Sequence, residues 1–117
     1  MTPAARKARD TRRVYAWEDD LRAGGRYRAS MGALRSLALR VWRDYGRGNR
    51  PPAVIAGRGI PSNGSLASYC LGSTVIVLAR NHRDRVVLLH ELTHALGPVT
   101  HGNRFQNLYL ELLERYL

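Results

Sequence analysis

Apolar residues recur at intervals of three and four positions in two long segments of the chain. From Met31 to Tyr45, and again from Asn103 to Tyr116, they fall on one face of a helix. The pattern predicts an amphipathic helix over each segment, and the glycines and prolines of residues 46–52 end the first one. The apolar positions are Leu34, Leu37, Ala38, Val41, Trp42 and Tyr45 in the first segment, and Phe105, Leu108, Tyr109, Leu112 and Leu113 in the second.

Two further helices are predicted from shorter patterns. A segment from about Asp84 to Leu96 is closed by a Gly–Pro pair, which is typical of a helix end. The stretch Val14–Ala23 is amphipathic enough for a first helix. Residues 1–13 are basic and carry no such pattern, so they predict a flexible arm. We expect one domain over residues 14–117, with residues 1–13 as a basic N-terminal arm.

Between Ala53 and Arg80 the chain becomes rich in β-branched residues separated by Gly, Pro, Asn and Ser. This composition predicts three short strands, over residues 53–57, 65–72 and 73–80, with residues 59–65 as a turn or hairpin loop. The predicted class is therefore α+β. A small, mostly antiparallel sheet of about three strands would pack against the helix of residues 84–96, with helices on the N-terminal and C-terminal sides.

Charge adds one possibility to this picture. The chain has 19 basic and 9 acidic residues, a net charge of +10, and residues 1–50 hold thirteen of the basic and five of the acidic ones. Such an imbalance is typical of proteins that bind a polyanion, nucleic acid above all. The same segment lacks the ladder of aromatic residues expected of a single-strand binder. Nucleic acid is thus a candidate partner through the basic N-terminal half.

Cysteine content and hydropathy bear on the compartment. Cys70 is the single cysteine, which excludes an internal disulfide and is typical of a reducing cytoplasm. The surroundings of Cys70 resemble a half-buried strand more than a nucleophile turn. The longest apolar runs are far below the ~20 residues that cross a bilayer, and no apolar segment follows the basic N-terminus as in a secretory signal. We expect a cytoplasmic protein without a membrane partner.

The segment with the most specific chemistry is residues 86–105, which contains an H-E-x-x-H motif. His90 and His94 are four residues apart on a predicted helix, so their imidazoles project from the same face. That spacing suits two ligands of one tetrahedral Zn²⁺ ion. Glu91 lies beside such an ion and is placed to accept a proton from metal-bound water. His82, in the loop before this helix, is expected to be an exposed residue.

A catalytic zinc needs a third protein ligand and one open position. His101 follows the Gly–Pro turn and is the usual kind of partner for zinc. Glu111 and Glu114 remain alternatives, because some zinc enzymes take a carboxylate from a following helix. Six residues after His94, where metzincins place their third ligand, this chain has Thr100.

These motifs resemble those of known metallopeptidases. The series His90-Glu91-Leu92-Thr93-His94, six residues, His101, three residues and Phe105 is similar to the pattern of YgjP/WLM-type metallopeptidases, and its last part to the third-ligand motif of SprT-like proteases. The segment Arg9–Glu18 resembles a family of small metallohydrolases from actinobacteria and their phages. The resemblance implies a minimal zincin fold with one zinc, the three histidines as ligands and Glu91 as catalytic residue. The gap between the second and third ligands is much shorter than in SprT-like proteins, and their C-terminal zinc ribbon is missing.

The function expected from the sequence is a zinc-dependent metallohydrolase, and more specifically a metallopeptidase that cleaves peptide bonds through a Glu-activated zinc-bound water. Residues 74–80 are a candidate edge strand for an extended peptide substrate. Candidate donors to the transition-state oxyanion are Tyr69, Arg80, His82 and Arg104. Three alternatives stay open: a nucleic-acid-associated protein with a structural metal, an inactive zincin-like interaction module with a bound zinc, and a hydrolase of non-peptide amides.

Overall fold

A computed structural model gives the fold and describes residues 1–62 and 65–117. Within these residues the chain forms four α-helices and five short strands. The helices are α1 (Pro3–Arg22), α2 (Met31–Tyr45), α3 (Arg85–Ala95) and α4 (Asn103–Tyr116). The strands are β1 (Ala53–Ala56), β2 (Ile60–Ser62), β3 (Ser65–Ala67), β4 (Tyr69–Leu71) and β5 (Val75–Leu78), and short 3₁₀ turns cover Ala23–Gly25 and Arg80–His82.

The predicted α+β class is confirmed, and α2 and α4 have the predicted bounds. Helix α3 lies within the predicted segment, with Asp84 as its N-cap and Leu96 as its C-cap. The Ser30 side chain caps α2 by accepting a hydrogen bond from the amide of Ala33 at 3.1 Å. The two long helices, α2 and α4, are predictable because their apolar faces are the buried ones.

The first helix differs from the prediction, because α1 begins at Pro3 and includes most of the expected flexible arm of residues 1–13. The prediction was wrong because the buried stripe of α1 is mostly polar: it consists of Asp10, Val14 and Glu18. A search for apolar periodicity misses such a stripe. The signal that marks the helix start is Thr2, whose side chain accepts a hydrogen bond from Ala5 at 3.0 Å, followed by a proline at the first helical position.

The sheet is mixed and not mostly antiparallel. Its order is β1-β5-β4, with β1 parallel and β4 antiparallel to β5. The predicted strand over residues 65–72 is split at Ser68 into β3 and β4, and β3 pairs with β2 in a separate two-stranded sheet. The predicted turn over residues 59–65 thus contains β2, while positions 63 and 64 lie outside the described residues. β5 is the central strand, so residues 74–80 do not form the expected edge.

The core surrounds α3. This helix is buried on nearly all sides and packs against α1, α2, α4, β4 and β5. The fully buried side chains around it come from every layer, and the largest include Tyr109, Phe105, Leu34 and Ile76. Burial of α3 also takes His90, Glu91 and Thr93 out of water, which is costly unless their polar atoms find partners. Among the described residues, no helix is long and apolar enough to cross a membrane.

A candidate metal centre on α3

Asp84 fixes the start of α3 and links the helix to Arg22. One carboxylate oxygen of Asp84 accepts a hydrogen bond from the amide of Val87 at 2.8 Å, and the other pairs with Arg22 Nε at 2.7 Å. Asp84 is therefore an N-cap that also links α3 to the end of α1. Further along, α3 carries His90 and, about one turn later, His94 on the face that contacts α1 and α4.

A tight turn after α3 brings His101 back to the same place. Gly97 has a φ of 138°, a backbone conformation that residues with a side chain rarely adopt, and its amide donates to the carbonyl of His94 at 3.0 Å. The side chain of Gln106 in α4 donates to the carbonyl of His101 at 2.7 Å. The turn and α4 together hold the third imidazole against the first two.

The three imidazoles converge through their Nε2 atoms. The distances His90–His94, His94–His101 and His101–His90 between these atoms are each 3.2 Å. Two ligands bound at about 2.0–2.1 Å to a tetrahedral ion lie about 3.3 Å apart. The three histidines could therefore hold one metal ion. No fourth His, Cys, Asp or Glu joins the cluster within the part of the chain that the structure describes.

Each of the three rings uses its other nitrogen for a hydrogen bond. His94 Nδ1 lies 2.8 Å from the carbonyl oxygen of Pro98, which can only accept, so this nitrogen carries the proton. His90 Nδ1 pairs with the carboxylate of Glu18. His101 Nδ1 lies 3.1 Å from the hydroxyl of Thr11. All three partners orient their rings, and the two that can only accept, Glu18 and the Pro98 carbonyl, fix the proton on the nitrogen away from the ion.

The resulting electrostatics favour a cation at the centre. With protons on the Nδ1 atoms of His90 and His94, their Nε2 atoms present lone pairs to each other at 3.2 Å, an arrangement that a shared cation stabilises. Burial and the nearby imidazoles lower the pKa of His101 to about 4, and burial also lowers the pKa of His94. Both rings are therefore neutral at pH 7, which is the form that binds metal.

Glu18 and Tyr109 form a support that the sequence did not reveal. Glu18 is buried, and besides His90 it accepts a hydrogen bond from the hydroxyl of Tyr109 at 3.0 Å. Burial alone would lower the pKa of His90, but the hydrogen bond and charge of Glu18 outweigh it and raise this pKa. The carboxylate thus stabilises positive charge on this ring, whether from a proton or from a metal ion.

Glu91 lies beside the three nitrogens. Its Oε1 is 4.0 Å from His90 Nε2, too far for it to share a ligand position but close enough to reach a molecule held there. Glu91 is buried, and burial raises its pKa to about 7. A carboxylate with such a pKa is suited to both accepting and releasing a proton near neutral pH.

Two cavities flank this centre. One, of about 210 Å³, lies toward the end of α1 and is lined by Arg22, His82 and Val87 among others. The other, of about 400 Å³, lies toward β2 and β4 and is lined by all three histidines of the centre together with apolar side chains such as Val99. Both cavities reach His90 and Glu91, and Tyr15 lines both. The Tyr15 ring lies parallel to that of His90, with 6.0 Å between the centroids.

The structure separates the remaining candidates. Glu111 and Glu114 lie on the exposed face of α4, outside the histidine cluster. Arg104 lines a separate cavity of about 1110 Å³ beside the end of α2, and Arg80 lines neither cavity at the centre. Tyr69 and His82 do line those cavities, the former toward β4 and the latter toward α1.

Cys70 lies half-buried in β4, as expected for a strand cysteine, and burial raises the pKa of its thiol to about 11. A thiol with this pKa is a poor nucleophile at neutral pH.

Comparisons of the chain with protein-family models, with curated proteins and with solved structures found no match.

Proposed function

We propose that the protein is a zinc-dependent hydrolase, and more specifically a metallopeptidase. The observation that carries the proposal is the convergence of three Nε2 atoms at 3.2 Å from one another, with Glu91 Oε1 4.0 Å from one of them. His90, His94 and His101 would hold the ion. A cysteine-free set of three imidazoles matches the usual catalytic zinc site, whereas structural sites are commonly closed by four ligands.

The chemistry of a hydrolase follows from the residues around this position. A bound Zn²⁺ would supply Lewis acidity, which polarises a carbonyl oxygen and lowers the pKa of a water molecule toward neutrality. Glu91 Oε1 takes a proton from the attacking water and gives it to the leaving nitrogen. Glu18, Thr11 and the Pro98 carbonyl keep the three rings in a fixed orientation throughout.

A peptide substrate fits the sheet beside the centre. In the part of the chain that the structure describes, β4 pairs with β5 alone, so its outer edge offers free backbone groups to an extended peptide. Tyr69 and Cys70 of β4 line the larger cavity together with His90 and Glu91. The proposal therefore assigns the substrate to the β4 edge and replaces the residues 74–80 expected from the sequence.

The family resemblance remains part of the proposal. The H-E-x-x-H motif, the six-residue spacing to His101 and the later Phe105 are the features shared with YgjP/WLM-type metallopeptidases. Phe105 is fully buried, and its ring lies within 5.0 Å of all three imidazole centroids. The motif phenylalanine thus packs against the ligands, which gives the spacing a physical reason.

Metal analysis combined with digestion of an unbiased peptide library tests the function. We expect about one zinc per chain, cleavage that stops with a chelator, and recovery when zinc is added. Glu91→Gln should keep the metal and lose about 10²–10⁴-fold in rate. Glu114→Gln, an exposed carboxylate on α4, is the matched control and should cleave as the wild type does. A Glu91→Gln protein with wild-type turnover would exclude Glu91 as the base.

Nucleic-acid association is a second candidate function. Arg6, Lys7, Arg12 and Arg13 are exposed on α1, the helix that also supports two of the imidazoles. Deleting this segment would damage the metal centre, so substitutions are the better test. Replacing Arg6, Arg12 and Arg13 with Gln should lower the salt dependence of DNA binding by about 0.9 in logarithmic slope for each lost phosphate contact.

The matched control replaces three other exposed arginines, Arg47, Arg50 and Arg104, with Gln, which changes the net charge equally. If the control weakens DNA binding more than the α1 variant does, the basic face of α1 is not the nucleic-acid site. Zinc content measured on both variants shows that the centre is intact.

A further inference from the structure

His82 is held by a small hydrogen-bond network at the edge of the metal centre. It lies in the 3₁₀ turn Arg80–His82, and its Nδ1 is 3.3 Å from the amide nitrogen and 3.2 Å from the hydroxyl oxygen of Ser68. Ser68 lies between β3 and β4. The network therefore joins the sheet beside the centre to the turn that precedes α3.

The network fixes which ring nitrogen of His82 carries the proton. The amide of Ala79 donates to the Ser68 hydroxyl oxygen at 2.8 Å, which leaves the hydroxyl proton free to point at His82. The amide of Ser68 can only donate. The amide therefore requires His82 Nδ1 as its acceptor, so the proton of the neutral ring is on Nε2, and the Ser68 hydroxyl can donate to the same nitrogen.

His82 is not protonated at neutral pH. Burial lowers its pKa, and the charge of Arg22 lowers it further. Arg22 itself is engaged: its Nε donates to Asp84 and its terminal nitrogen donates to the carbonyl of Asn81, both at 2.7 Å. In the smaller cavity, Arg22 already donates hydrogen bonds to the protein, whereas the neutral ring of His82 has an N–H that it can donate.

We propose that His82 donates its Nε2–H to the oxygen of the scissile carbonyl as negative charge develops on it. The assignment rests on the proposed hydrolase function, because it needs a reacting carbonyl beside Glu91, which lines both the cavity assigned to the peptide and the smaller cavity that His82 lines. Ser68 is then a positioning residue that keeps Nε2 protonated. A donor fixed before the reaction costs no reorganisation when the oxyanion forms, which is why such groups contribute strongly to catalysis.

The tautomer is tested without any substrate. In ¹⁵N-labelled protein, the imidazole ¹H–¹⁵N correlation spectrum should show His82 with a protonated Nε2 and an unprotonated Nδ1. Ser68→Ala removes the hydroxyl donor and should shift the ring toward a mixture of tautomers. A wild-type His82 with its proton on Nδ1 would overturn the proposal.

Kinetics test the contact with substrate, and the probe is the best-cleaved peptide of the library digestion. His82→Phe should lower kcat by about 10²–10³-fold with little change in KM or zinc content, because one oxyanion donor is lost. His82→Gln retains an N–H in a similar position and should recover part of this loss. Asn81→Ala, in the same turn, is the matched control and should leave kcat unchanged.

The outcomes separate this proposal from the function on which it rests. If the wild type cleaves, Glu91→Gln does not, and His82→Phe cleaves at the wild-type rate, the His82 assignment alone is wrong. It is also wrong if Tyr15→Phe lowers kcat and His82→Phe does not, because the donor is then Tyr15. If the wild type with zinc cleaves no peptide, the hydrolase function fails and the assignment fails with it.

Discussion

Glu18 and His90 lie 72 residues apart in the chain and form a buried pair in which the imidazole Nδ1 donates to the carboxylate. The pair links α1 to α3, and Tyr109 adds a third element, α4, through its hydroxyl. A carboxylate in this position makes the opposite nitrogen of the ring a better metal ligand. The pair is therefore the most direct connection between the packing of the fold and the chemistry of the centre.

Removing the charge of Glu18 should weaken the metal site. We expect Glu18→Gln to raise the Kd for zinc by about 10–100-fold, since partners of ligating histidines contribute that much. Tyr109→Phe should have a smaller effect, because the carboxylate remains. Competition with a chromophoric chelator measures the Kd. Asp20→Asn, an exposed carboxylate on the same helix, serves as the control and should bind as the wild type does.

His101 should prove indispensable as the third ligand. His101→Ala leaves two imidazoles, so we expect a loss of zinc affinity larger than the about 10–100-fold of Glu18→Gln. Its matched control is the double variant Glu111→Ala and Glu114→Ala, which removes the alternative carboxylates and should retain zinc. Elemental analysis after dialysis decides between them. Zinc retained by His101→Ala but lost from the double variant would reverse the assignment.

A cluster away from the centre should make stability depend on pH. Tyr116 donates to Asp44 at 2.5 Å, and this hydrogen bond, with the charges of Arg43 and Arg115, lowers the pKa of Asp44 below 3.8. Because the folded-state pKa is the lower one, the stabilisation is fully present above the unfolded-state pKa. It is lost as the pH falls through the folded-state pKa.

Urea unfolding of the wild type and of Asp44→Asn at several pH values measures this contribution. The variant should be less stable at pH 6–7, and the difference between the two proteins should shrink below about pH 4. Asp20→Asn should show no such difference. A gap between wild type and Asp44→Asn that stays constant down to pH 2 would contradict the pKa shift.

Cys70 should react slowly with alkylating agents. Burial raises the pKa of its thiol to about 11, and the thiol donates to the carbonyl of Gly72 at 2.7 Å. At pH 8 the thiolate fraction is then on the order of 100-fold below that of a free cysteine with a pKa near 8.5. Mass spectrometry of iodoacetamide labelling, with glutathione as reference, checks the rate. Labelling as fast as that of glutathione would show an ordinary thiol.

The sequence allowed α2, α3 and α4 to be predicted, because α2 and α4 carry a clear apolar pattern and α3 is bounded by Asp84 and by a Gly–Pro pair. It also allowed the three imidazoles to be grouped, since His90, His94 and His101 are close in the chain. The hydrogen-bond partners of these rings could not be predicted from the sequence. Thr11 and Glu18 come from a segment whose buried stripe is polar, and a polar residue carries no periodic signal that distinguishes support from solvent exposure.

The sheet shows a different limit of sequence reasoning. The apolar run of β5 is compatible with an edge strand and with a central strand. Only its pairing with both β1 and β4 shows that it is the central strand. His82 was expected to be an exposed loop residue, yet it is half-buried and bonded to Ser68. That contact depends on where the split between β3 and β4 falls, and no local pattern marks this position.

The residues that support the three imidazoles are far apart in the sequence, from Thr11 to Tyr109, and this separation has a consequence for synthesis on the ribosome. Of the four helices, α1 is synthesised first and α4 last, at about 5–20 residues per second. Thr11 and Glu18 are thus synthesised before α2, the sheet and the histidines that they support. Tyr109 is synthesised after all three histidines. The nascent chain acquires its complete cage of imidazoles and partners only after α4 has left the ribosome.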